Sequence, residues 1–143
     1  MADTKVQLTV EAFIRTNCLQ NKFGQPFRKG KMAMTTGGEF EFDAISENRD
    51  IAVVISTSAY KTARGKNGSG KVGKIRADLY FLMLADVKRR IAVFTEEDMF
   101  RYWQMEQTDR KRVPANIEFI KVTLPDDLRA KLNGAGQKAS REV

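Results

Sequence analysis

Near the start of the chain, Val6, Val10, Phe13 and Ile14 recur at helical intervals and Thr4 with Gln7 has capping-box spacing. This predicts a helix over residues 5–16, although Val6, Leu8 and Val10 also alternate as a strand would. Residues 23–31 mix Gly24, Pro26 and Gly30 with basic side chains, which breaks any period and predicts a loop or an irregular edge. Met32 to Thr35 begins a strand and Gly37-Gly38 marks a turn. After it Phe40, Phe42 and Ala44 alternate with Glu39, Glu41 and Asp43, the pattern of a half-buried strand with its carboxylates on one face.

A polar turn at Glu47 to Asp50 leads into Ile51-Ala52-Val53-Val54-Ile55, a β-branched run without a polar side. Such a run predicts a strand buried on both faces, at the sheet centre. Residues 56–70 are small, polar and glycine-rich, and Val72, Ile75, Leu79, Leu82 and Met83 then predict a helix that starts near Ser69 or Gly70 and runs to about Asp86. Ile91-Ala92-Val93-Phe94 is a second buried strand, and Thr95 with Asp98 has capping-box spacing for a helix through roughly Gln107. On that helix Phe100 and Trp103 share one face, which predicts a core role, although aromatics beside Arg101 and Arg110 would also suit stacking on bases. A final strand over Ile117, Phe119 and Lys121 and a short helix from Asp126 to Leu132 follow.

The expected fold class is therefore α/β: a mixed central sheet flanked by helices, one domain over residues 1–133 with a flexible tail at 134–143. The Ile51 strand, the helix after it and the next strand form a candidate right-handed crossover, which sets the glycine-rich segment at the carboxyl end of the central strand, where open α/β sheets bind ligands.

Composition narrows the chemistry. The 143 residues contain no His and one cysteine, Cys18, so Ser-His-Asp and Cys-His nucleophiles are excluded, as are zinc sites of the usual nitrogen and sulfur type. Catalysis would have to rest on carboxylates, lysines, hydroxyls and an oxygen-bound ion such as magnesium. No apolar run suits a membrane span and no secretory leader is visible at the N-terminus, so a cytoplasmic protein without membrane contact is expected. The formal charge of +7 is clustered: Lys61, Arg64, Lys66, Lys71, Lys74 and Arg76 occur with no acid between Ile51 and Asp78. Arg28, Lys29 and Lys31 form a second group, and Arg110, Lys111 and Arg112 a third. Clustered cations favour polyanions, because neutralised phosphates release counterions.

Residues 65–71, Gly-Lys-Asn-Gly-Ser-Gly-Lys, match the G-x-x-x-x-G-K of a P-loop. Val72 stands where that motif needs Ser or Thr for magnesium, and the strand ends near Ile55, well before the first glycine. Phosphate affinity is expected here, not nucleotide hydrolysis. Candidate phosphate ligands are Ser56, Thr57, Ser58, Lys66, Lys71, Lys74 and Arg76.

A helix, then a strand bearing Asp43, then a buried strand and a crossover helix resembles the PD-(D/E)XK, or restriction-endonuclease-like, superfamily over roughly Thr4 to Phe100. The resemblance implies a restriction-endonuclease-like core in which Asp43 is the first magnesium-binding carboxylate. The (D/E)-x-K position falls on Val54-Ile55-Ser56 or Ser56-Thr57-Ser58, which supply neither acid nor lysine. Glu41 is then the candidate second carboxylate, making Asp43 and Glu41 the metal ligands, with Lys61, Lys71 or Lys74 reaching in as the lysine; Asp43, Glu41 and Lys61 form the candidate catalytic set. The implied protein binds nucleic acid, DNA by family likeness, as a divergent magnesium-dependent nuclease or a relative without cleavage. The rival reading is an interaction subunit of a larger assembly, and homo-oligomerisation stays open.

Overall fold

The computed structural model describes residues 4–61 and 69–141. It is a three-layer α/β/α arrangement around a mixed sheet of five strands in the order β1-β2-β3-β4-β5. These are β1 (Phe27–Ala33), β2 (Glu39–Ser46), β3 (Ile51–Ser56), β4 (Arg89–Phe94) and β5 (Ile117–Lys121). The first three form an antiparallel meander, while β3, β4 and β5 run parallel. The sheet thus changes character at β3, whose run of apolar residues is buried from Ile51 to Ile55. Parallel neighbours need crossovers, and α3 (Ser69–Leu84) and α4 (Glu97–Thr108) supply them.

The side chains sort by strand parity. Ala52, Val54, Ala92 and Phe94 face Ile75, Leu79 and Leu82 of α3 and Met99 and Trp103 of α4. Ile51, Val53, Ile55, Ile91 and Val93 face the opposite layer, where Val10 of α1 (Thr4–Phe13) meets Leu128 of α5 (Asp126–Arg141). Trp103 is fully buried and Phe100 packs against the same cluster, so these aromatics serve the core and not base stacking.

Several expectations need correction. The N-terminal helix does not stop near residue 16: a π-helical segment, Ile14–Leu19, and α2 (Gln20–Phe23) continue it until Gly24 closes it at φ 69°. The cause is legible in the spacing, since buried Leu19 follows buried Ile14 by five residues, and a wider turn is what keeps both on one face. Of the two readings for residues 23–31, the irregular edge is the one found: the edge strand β1 begins at Phe27, earlier than the strand expected from Met32, because only Phe27 and Met32 need burial and the basic side chains between them stay in water. The Thr95/Asp98 capping box does not form, and the Thr4 side chain of the other lies outside the described residues. Gln7 turns to Glu11, and Glu96 occupies the N-cap of α4 while the Asp98 carboxylate accepts the backbone N–H groups of Tyr60 and Lys61. Finally, α5 runs on to Arg141, well past the expected end at Leu132. No helix among the described residues is long and apolar enough to cross a membrane.

Candidate functional site

The site begins with an irregularity in β2. Gly30 pairs with Phe42 but Arg28 pairs with Ile45, so Asp43 and Ala44 together oppose Lys29 in a one-residue bulge. The bulge reverses the phase of the strand: Phe42 and Ile45 pack on the α3 layer, while Ala44 packs on the α1 layer. Next door, the register of β2 with β3 runs through Ile45↔Ala52 and Ala44↔Val53 and goes no further. Past that point the Asp43 carboxylate takes over, its Oδ2 accepting the Ile55 N–H at 2.7 Å. An acidic side chain thus lies in the seam between two diverging strands, at the carboxyl end of β3.

Other groups converge on it from both helical layers. From the α1 side come Glu11, only 5% exposed, and Arg15 of the π-helical segment, whose guanidinium donates to the Asp43 carbonyl oxygen at 2.9 Å. From α3 come Asp78 and Lys74, paired at 3.0 Å. Burial first, then the charge of Asp78, pushes the Asp43 carboxyl above its ordinary range, against the Ile55 N–H and the charges of Lys74 and Lys29. Burial and the nearby Asp43 push Glu11 the same way, against Lys29, Arg15 and Gln7. Desolvation draws the Lys74 ammonium down, and the hydrogen bond and charge of Asp78, with Asp43 and Glu11, more than reverse it. These are desolvated carboxylates short of positive charge.

Beside this cluster a cleft of about 430 Å³, counting its open mouth, lies across the carboxyl ends of β3 and β4. Its walls include Gln7, the residues from Val54 to Ser58, and Lys71, Lys74 and Asp78 of α3. Lys71, Lys74 and Asp78 fall three and four residues apart, so one face of the helix presents them together. The exit from β3 is held by its own hydroxyl, the Ser56 Oγ accepting the Ser58 N–H at 3.4 Å. A cleft lined by two lysines and three hydroxyl residues has a composition that suits an anion.

Of the candidate phosphate ligands, Ser56, Thr57, Ser58, Lys71 and Lys74 line this one cleft. Arg76 does not: it stacks over Trp103 and faces Glu106 of α4. Lys66 and residues 65–68 lie outside the described residues. Asp43 lies beside the cleft, in the seam behind it, but Glu41 is not its partner, since it is exposed and pairs with Lys29 at 3.7 Å. Lys61 is also elsewhere, exposed and tied through its backbone to Asp98 at the start of α4. The acids that do come near Asp43, Glu11 and Asp78, lie on helices. One signal for Glu11 was present, an acid between Val10 and Ile14 on the apolar arc of α1.

Asp43 Oδ2 is committed to Ile55, Asp78 to Lys74, and among the described residues no three acidic side chains form a group able to hold a metal. No family model, curated protein or solved structure matches the chain.

Proposed function

We propose that this protein binds nucleic acid on a restriction-endonuclease-like scaffold, holding backbone phosphate in the cleft at the carboxyl ends of β3 and β4, as a relative without metal-dependent cleavage. The observation that carries this reading is the convergence of Ser56, Thr57, Ser58, Lys71 and Lys74 on one cleft. Each contributes an N–H or O–H donor suited to phosphate oxygens, and the net charge of +7 draws polyanions towards it. The scaffold assignment draws support from the order of helix, Asp43-bearing strand, buried strand and crossover helix. The loss of cleavage draws support from the partners already held by Asp43 and Asp78. Behind the cleft, Glu11 and Asp43 act against anion binding to the extent that they are ionised.

Binding to a short labelled oligonucleotide tests this. Affinity should fall steeply from low to moderate salt, and replacing Lys71 and Lys74 together by Ala should lower it and flatten the slope of log affinity against log salt by about two. Both lysines are exposed, so the fold should survive. Binding that ignores salt would point to a protein partner instead. Magnesium- or manganese-dependent cutting that disappears in Asp43→Asn would overturn the non-cleaving reading.

A further inference from the structure

On the other side of α3, three arginines surround one carboxylate. Glu106 of α4 is 0% exposed, yet it lies close to the surface, because arginine side chains rather than depth keep water from it. Arg112 grips it with two bonds, Nε to Oε1 at 3.2 Å and Nη2 to Oε2 at 2.6 Å, and Arg110 adds a third to Oε2 at 3.0 Å. Arg76 approaches from α3 to 3.9 Å, with its guanidinium carbon 5.0 Å from the centre of the Trp103 ring. The Arg112 hydrogen bond foremost, with Arg110, holds Glu106 below the usual carboxylate range despite its desolvation, so it is ionised at neutral pH.

One buried carboxylate is satisfied by one bidentate arginine. Here it has Arg76, Arg110 and Arg112 around it and Lys111 beside them, and with Asp109 counted the local charge is still two positive (four cations less two acids). The arginine side chains remain 44% to 60% exposed, with N–H groups that Glu106 does not use. Carboxylate and ring hold the guanidinium groups in place, so little side-chain freedom remains to be lost when they meet an anion.

We infer that this arginine fan is a second phosphate-binding site, and that it holds the other strand of a duplex whose first strand occupies the cleft. The inference rests on the cleft reading above. Lys74 and Arg76 are two residues apart on α3 and so point roughly 200° from each other around the helix axis. Cleft and fan therefore flank α3, across a helix about 10–12 Å wide, close to the major-groove width of about 12 Å in B-form DNA. The ridge between them presents Gly70, Gly73 and Ala77, all exposed, over its first turns, with the exposed ring of Tyr80 one turn further on.

Arg76→Ala is the informative variant, because Glu106 keeps both of its hydrogen-bonded arginines. Anisotropy titrations with a DNA duplex of arbitrary sequence and with one of its single strands should separate the two sites. Arg76→Ala should weaken duplex binding several-fold and reduce the salt slope by about one, with single-strand affinity unchanged, and Arg76→Lys should restore part of the loss. Equal losses on duplex and single strand, or no loss on duplex by a folded variant, would overturn the second site. If the Lys71/Lys74 double variant loses binding while Arg76→Ala does not, only the fan is wrong. If the unmodified protein binds neither nucleic acid at low salt, the cleft reading falls with it.

Discussion

Asp43 carries a cost that its charge explains. Its carboxyl is pushed up in the folded protein, chiefly by burial and then by Asp78, so between the ordinary carboxylate range and that raised value the folded chain binds more protons than the unfolded one. Stability therefore falls as pH rises through this window. Asn at this position keeps an oxygen for the Ile55 N–H but removes the charge. Asp43→Asn should melt a few degrees higher than the natural protein at pH 7, with the gap closing near pH ~3, where the unfolded carboxyl is also largely protonated. It should also bind polyanions more tightly, since the cleft loses a repelling charge. Thermal unfolding at the two pH values checks the first effect and anisotropy the second; a lower melting temperature at pH 7 would mean that the ionised carboxylate stabilises the seam. Asp43 was legible in the sequence as the acid on the strand before the central one. Glu11 and Asp78 were not, because a search for metal ligands along strands passes over acids on helices. Glu41 was read as its partner from strand alternation alone, and it points to solvent beside Lys29.

At the scale of elements, continuous apolar runs were the clearest signal. Ile51–Ser56 and Arg89–Phe94 came within a residue or two of expectation, because a strand covered on both faces can afford no polar position. The start of β1 was ambiguous since an edge strand with one wet face needs few apolar residues, and Gly30 within it reads as a breaker. The bulge at Asp43 was invisible for a different reason: it is defined by pairing with Lys29, a relation between strands that no single strand's pattern contains. The turn that brings these strands together was legible as Gly37-Gly38. Gly37 sits at φ 100°, where any side chain is strained although the space around it is open. Gly37→Ala should therefore cost roughly 1 kcal/mol in denaturant-unfolding free energy through the backbone alone. A neutral effect would show that the turn relaxes to another type without disturbing the hairpin.

For the whole molecule, the mixed sheet with helices on both faces was legible because alternating strand and helix patterns after Ile51 leave few ways to connect parallel neighbours. What no pattern conveyed was which loops and helix faces meet at the strand ends, and the cleft is made of these. The change of direction at β3 also divides the protein in time. β1, β2 and β3 join through short turns at residues 34–38 and 47–50, whereas β4 reaches β3 only after the long excursion through α3. Closing a short loop loses less chain entropy than closing a long one, so the meander should assemble first and serve as the template on which β4 and β5 are laid. Pulse-labelled hydrogen exchange during refolding should find the amides shared by β1 and β2 protected earlier than those between β4 and β5. Simultaneous protection would mean one concerted nucleus. In the expected order the seam that holds Asp43 is an early product of folding, while the cleft and the arginine fan, which depend on α3, arrive late, so a partly folded chain emerging from synthesis would have its acidic seam well before either of them.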